Sequence, residues 1–251
     1  MEKWIKYRKK QNNPKCILIC LHHAGGGASL FYKWQKIIGN QIEIWPVQLP
    51  GRENRIDDPL TWDYKEIVNE LAEAIAPYLV DQTFAIFGHS MGGIIGFELA
   101  KKLINDYRLT PVKCFISSSR GFRENEKFDI DSMNDMEFLK EVDRYGEIPE
   151  ELFKLENIRS MYVGIMRNDF KLVHTYVMDK TNIPDIPIRA YVGRNDKTVS
   201  IEEMKDWEGC TEGEVTYKSF EGDHFYLNVV TDQLCDDIRE ELINKCIERV
   251  A

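Results

Sequence analysis

The chain has 251 residues, 43% of them hydrophobic and 30% charged, with a net charge of −9. That composition suits a globular protein long enough to bury a sizeable core. It leaves out large-scale disorder and non-specific nucleic-acid binding, which needs a basic face. No apolar run approaches the roughly 18 residues of a membrane span, and the opening MEKWIKYRKKQNNP has charge but no apolar segment of the signal-peptide kind.

Short apolar runs alternate with helical periodicity. CILICL (16–21) reads as a buried strand, with the glycine cluster 25–27 behind it. SLFYKWQKII (29–38) reads as a helix, and IEIWPVQLPG (42–51) as a strand ending at Pro50-Gly51. In 63–79 the apolar residues Ile67, Leu71, Ala74, Ile75 and Leu79 have helical spacing. TFAIF (83–87) is a predicted strand, GGIIGFELAKKLIND (92–106) a helix and VKCFISSS (112–119) a strand. IPIRAYVG (186–193) and VTYKSF (215–220) are further strands, and 231–250 is the last helix, with Thr231 or Asp232 as N-cap. WIKYRKK is a weaker edge-strand candidate.

Strands alternating with helices imply right-handed crossovers, hence an α/β fold with a mostly parallel sheet and helices on both faces. The core then spans 1–119 and 183–251, and a charged, helix-rich insertion spans 120–182. Loops at strand C-termini border the ligand crevice of open α/β sheets, so the insertion reads as a lid; a plain helical subdomain is the other reading. The six cysteines, Cys16, Cys20, Cys114, Cys210, Cys235 and Cys246, form no C-x-x-C pair. Free thiols and a cytoplasmic location are expected.

GHSMG (88–92) fits G-x-S-x-G between a predicted strand and a predicted helix. That is the context of a nucleophile elbow, where a strained turn projects a serine above the sheet and the next helix puts its N-terminus beneath it. Ser90 is the candidate nucleophile, and Gly88 and Gly92 are the small residues that such crowding demands. A serine needs a base. His22 and His23 precede Ser90 at a strand end, His89 adjoins it, and His174 lies in the insertion. His224, in EGDHFYL after the last predicted strand, has the right chain order and is the candidate base. Asp196, in GRNDKTV, lies between them at a strand end and is the candidate acid, with a turn or N-cap aspartate as the plain alternative. The N–H of Met91, the residue after the nucleophile, is one expected oxyanion donor. A second comes from LHHAGGGA, where Ala24 is the choice and Gly25 the next. A phosphate loop is the competing reading of GGGAS, but no G-K-[ST] follows. No metal cluster or cofactor fingerprint is visible.

HHAGGGASLFYKW, VQLPGRENR, FGHSMGG, GRNDKTV and GDHFYL resemble, in order and spacing, the type II thioesterases that accompany non-ribosomal peptide and polyketide synthetases. MRNDFKLVHTYV is similar to that family's helix after the lid, although YVGIM stands before it where the family often carries a proline. The resemblance runs from about residue 15 to 240. It implies an α/β-hydrolase fold with a mobile helical lid. It also implies hydrolysis of acyl or aminoacyl thioesters on the 4′-phosphopantetheine of acyl or peptidyl carrier proteins, as an editing step. The triad it implies is Ser90, Asp196 and His224, with Met91 and Ala24 as oxyanion donors and no bound cofactor. A carboxylesterase or lipase on free esters would use the same triad, and a hydrolase fold that only binds is a third reading. A monomer is expected, binding neither nucleic acid nor membrane and docking transiently with carrier domains. Such domains are usually acidic, as this chain is, so docking should be weak and local. Arg120, Arg123 and Lys127 are candidates for a basic contact, or simply solvated charge.

Overall fold

CILICL is buried at every position, as a strand covered on both faces must be. In the computed structural model, which describes residues 1–121, 130–145 and 156–248, it is β1 (Cys16–Leu21) of a six-stranded sheet. The other strands are β2 (Ile42–Pro46), β3 (Phe84–His89), β4 (Cys114–Ser117), β5 (Ile188–Gly193) and β6 (Val215–Phe220). Their order is β2-β1-β3-β4-β5-β6, and every pair is parallel. The helices are α1 (Trp34–Ile38), α2 (Tyr64–Ile75), α3 (Met91–Tyr107), α4 (Asp135–Val142), α5 (Glu156–Thr175), α6 (Ile201–Met204) and α7 (Thr231–Glu248).

Side chains alternate across the sheet. Ile17, Ile19 and Leu21 enter a core with Ile67, Leu71 and Ile75 of α2 and Ile95, Leu99 and Leu103 of α3. Cys16, Leu18 and Cys20 enter the opposite core with Trp34 and Ile38 of α1 and Leu234, Ile238 and Leu242 of α7. Cys16, Cys20, Cys114, Cys210 and Cys235 are buried free thiols. Among the described residues no helix is long and apolar enough to cross a membrane.

Several boundaries differ from the sequence reading. The run 42–51 stops being a strand at Pro46, because Val47 turns to an isolated antiparallel bridge with Ile5. That bridge is all that forms of the WIKYRKK edge strand. The helix expected over 29–38 is a 3-10 turn (Ala28–Phe31) and then the short α1. The helix expected over 63–79 is capped by Asp63, which accepts from the Lys65 N–H at 2.9 Å. It tightens into a 3-10 turn at Ala76–Tyr78, where Pro77 has no N–H to continue the α pattern. Thr231 is already helical, and its hydroxyl bonds back to the Leu227 carbonyl instead of capping.

The chain leaves β1 toward one edge and returns past it into β3, so the loops after these neighbouring strands diverge. Such a switch point opens a crevice at the strand carboxyl ends. Gly88 pairs with Leu21 on one side and Ile116 on the other, which brings the ends of β1, β3 and β4 level there.

Candidate active site

Ser90 lies in this crevice, between β3 and α3, at φ 53° and ψ −118°. A non-glycine residue at positive φ costs about 1–3 kcal/mol and persists only where its surroundings enforce it. Here they do. The Ser90 N–H donates to the Ser117 carbonyl at 2.7 Å, and its carbonyl accepts from Gly93 at 2.9 Å. A methyl group at Gly88 would run into the Gly92 carbonyl, and one at Gly92 into the carbonyls of Leu21 and His22. Met91 opens α3, in the first turn, where helix geometry supplies its N–H no acceptor.

His224 follows β6 and Asp196 follows β5. Asp196 Oδ2 lies 2.9 Å from His224 Nδ1, with both side chains almost wholly out of solvent (0% and 3% exposed). The other oxygen, Oδ1, accepts from the Thr198 N–H (2.8 Å), the Thr198 hydroxyl (2.8 Å) and the Val199 N–H (3.1 Å). Burial alone would raise the Asp196 pKa, but its bonds to His224 and Thr198 outweigh burial and hold the group below the usual carboxylate range. Asp196 is thus a fixed anion, an acceptor suited to a proton on His224 Nδ1. The His224 ring lies 5.2 Å, centre to centre, from that of His89 in the elbow, which sets the imidazole beside the nucleophile turn. Among the described residues the Ser90 hydroxyl forms no hydrogen bond.

The remaining histidines have packing roles or lie off the site. His89 Nδ1 is 2.7 Å from the Ser117 hydroxyl, itself 2.6 Å from the Tyr226 hydroxyl, all buried. His22 Nδ1 meets the His23 carbonyl at 2.8 Å, and His23 Nδ1 the Ala24 carbonyl at 2.9 Å. Burial pushes His22 down to about 3 and His23 to about 4, so both are neutral loop supports at neutral pH. His174 stacks on Phe170 in the last turn of α5.

The loop after β1 separates the two oxyanion candidates. The Gly25 N–H already donates to Asp169 of α5 at 2.8 Å, and the Gly26 N–H to the His23 carbonyl at 3.0 Å. Between Ala24 and Gly25, therefore, Ala24 has the uncommitted donor among the described residues.

Helices α4 and α5 build a small apolar cluster over this end of the sheet, from Phe138, Leu139, Val163, Met166 and Phe170, and Ala24 packs against it. Tyr145 sets its ring edge-on to His224 at 5.4 Å. Sequence reasoning had no handle on Tyr145, because nothing in its spacing distinguishes it from a surface aromatic. Thr198 carries its own signal, since it sits two residues past Asp196 in N-D-K-T, the spacing of an Asx turn. Arg120, a candidate carrier contact, donates to the Thr198 carbonyl at 2.6 Å and pairs with Glu203 at 2.9 Å, bracing the turn that carries Asp196. Arg123 and Lys127 lie outside the described residues.

The thioesterase domain family model matches residues 16–242. The gramicidin S biosynthesis protein GrsT of Aneurinibacillus migulanus is 34% identical over 229 residues, 90% of this chain and 89% of that protein. Among solved structures, ClbQ from the colibactin NRPS/PKS pathway superimposes with a TM-score of 0.84 at 28% identity, covering 96% of this chain and 100% of ClbQ. The type II thioesterase BorB from the borrelidin biosynthetic cluster does so with 0.83 at 26%, covering 96% and 97%. An all-parallel hydrolase sheet, a strained serine elbow and an Asp–His pair beside it accompany a match over nearly the whole chain: this protein belongs to the thioesterase family, among the type II thioesterases associated with non-ribosomal peptide and polyketide synthesis.

Proposed function

We propose that this chain hydrolyses acyl or aminoacyl thioesters borne on the phosphopantetheine arm of synthetase carrier domains, through a Ser90–His224–Asp196 triad. The observation that carries the reading is the Asp196–His224 contact of 2.9 Å beside the strained Ser90 elbow. His224 Nε2 takes the Ser90 proton as the hydroxyl oxygen attacks the thioester carbonyl. The tetrahedral oxyanion is met by the N–H groups of Met91 and Ala24, with the α3 N-terminus adding its dipole. As the intermediate collapses, His224 returns the proton to the pantetheine sulfur, which departs as the thiol (pKa about 8.5) and leaves His224 neutral. His224 then takes a proton from water as the water oxygen attacks the acyl-serine carbonyl, and gives that proton to the Ser90 oxygen as the acyl–oxygen bond breaks and the acid is released.

In this reading the helices of the insertion act as a lid. Tyr145 against His224 and the α4–α5 cluster against Ala24 give that lid an apolar underside, suited to an acyl chain. The test is a hydrolysis panel of acyl- and aminoacyl-carrier proteins of graded length, set beside p-nitrophenyl esters of equal length, with Ser90→Ala as control. The account expects carrier thioesters to be preferred and Ser90→Ala to be inactive. Preference for free esters would make this an esterase; turnover in Ser90→Ala would end the triad reading; no turnover and no fluorophosphonate labelling of Ser90 would leave a binding protein.

A further inference from the structure

A buried ion pair that the mechanism above leaves unused joins the insertion to the turn after β2, and both its members bond to the loop after β1. Asp169, on α5, is 1% exposed, and Arg52, from the Pro50-Gly51-Arg52-Glu53 turn, is 4% exposed. The two meet as a fork: Arg52 Nη1 donates to Asp169 Oδ2 at 2.5 Å and Nη2 to Oδ1 at 2.8 Å. Arg52 reaches on to the Pro50 carbonyl through Nε (3.2 Å) and to the Gly26 carbonyl through Nη1 (3.4 Å). Asp169 Oδ2 also accepts the Gly25 N–H at 2.8 Å.

The consequence lies in one peptide plane. The Ala24–Gly25 peptide presents the Gly25 N–H on one side and the Ala24 carbonyl on the other. The N–H is held by Asp169 and the carbonyl lies 2.9 Å from His23 Nδ1. A peptide unit gripped at both ends cannot rotate without losing one grip. The Ala24 N–H belongs to the preceding His23–Ala24 peptide, whose carbonyl accepts the Gly26 N–H at 3.0 Å and lies 2.8 Å from His22 Nδ1. With both planes held, the Ala24 dihedrals, and the direction of its N–H, are held too. The same carboxylate withdraws the Gly25 N–H from the crevice. An unpaired carboxylate this close would oppose a developing oxyanion; bound in the Arg52 fork, the pair is neutral overall. Gly25 is at φ 74°, and a side chain there would strike Met166 of α5, so the loop has been fitted to this helix in shape as well as in charge.

We propose that Asp169 is a positioning residue which, through Arg52 and the Gly25 N–H, holds the Ala24 N–H in its oxyanion-binding direction and makes that direction depend on where α5 sits. The proposal rests on the serine-hydrolase reading above. It makes the insertion more than a cover: displacement of α5 would slacken one oxyanion donor, and its return would restore it.

Two variants test this. Asp169→Asn keeps the shape and removes the charge. The double variant Arg52→Met with Asp169→Leu removes both charges, so no orphaned ion threatens folding. Each is compared with wild type and Ser90→Ala for kcat and KM on an acyl-pantetheine thioester, for the Ki of an alkylboronic acid, and for Ser90 titration by a fluorophosphonate. Loss of a well-aimed oxyanion donor is felt in the transition state, so kcat should fall roughly 10- to 100-fold while KM moves less than about threefold. Boronate Ki should rise by a similar factor, with the titratable serine still near one per chain. If the folded double variant keeps kcat and Ki within about twofold of wild type, or if activity falls only as titratable serine falls, the proposal is wrong. An inactive wild type or an active Ser90→Ala would instead strike the triad reading itself.

Discussion

Replacing Asp196 with asparagine exchanges one oxygen for an amide group and leaves the shape of the side chain intact. The structure dictates how the amide must sit. Oδ1 faces three donors, from the Thr198 N–H, the Thr198 hydroxyl and the Val199 N–H, so the asparagine oxygen must take that place. Its NH₂ is then turned toward His224 Nδ1, where Oδ2 now lies at 2.9 Å. Two donors cannot share that contact, so the imidazole moves its proton to Nε2, the nitrogen that must accept from Ser90. The fold keeps three of the four acid contacts, while the base is held in the wrong tautomer. By analogy with other triads kcat should fall about 10⁴-fold, equivalent to about 5.5 kcal/mol of transition-state stabilisation. The assay is acyl-pantetheine hydrolysis, with thermal unfolding run alongside. A folded Asp196→Asn protein that retained more than about a tenth of wild-type kcat would refute the reasoning.

Acidification should destabilise the protein through its buried histidines. Burial holds His22 at about 3, His23 at about 4 and His89 well below its ordinary value, whereas the unfolded chain titrates near pH 6.5. Unfolding between about pH 4 and 6.5 therefore takes up protons, and stability falls as pH falls through that window. These three groups should contribute an uptake of about three protons at pH 5, read by unfolding calorimetry in buffers of different ionisation enthalpy; a urea midpoint unchanged between pH 7 and 5 would contradict this. Gly92→Ala should lower Tm by roughly 2–12 °C, because the methyl meets the Leu21 and His22 carbonyls and such overpacking costs about 1–3 kcal/mol. An unshifted Tm would show the elbow to be less crowded than it looks.

What the sequence made legible is what local chemistry encodes. Fully buried strands such as β1 and β3 read as continuous apolar runs, and the elbow announces itself because only small residues fit at 88 and 92. Chain order singled out His224 and Asp196, and the structure brings those two into contact. Element ends were less readable, since they depend on partners: Val47 leaves its strand for Ile5 far upstream. The Arg52–Asp169 pair was not readable from spacing at all. Its residues stand 117 positions apart, neither lies on a periodic pattern, and a buried ion pair is composed of residue types that ordinarily signal surface. Both were visible in the sequence as parts of family-like motifs, but their contact is a property of the folded chain alone.

The central claim is that Ser90 carries the acyl group between two half-reactions. Rapid acid quench of a turnover mixture, followed by proteolysis and mass spectrometry, tests it most directly. The account predicts that the peptide containing Ser90 gains the mass of the acyl group during steady state and loses it when substrate is exhausted, with no adduct and no turnover in Ser90→Ala. Sustained hydrolysis with that peptide unmodified, or the adduct found on another residue, would contradict it.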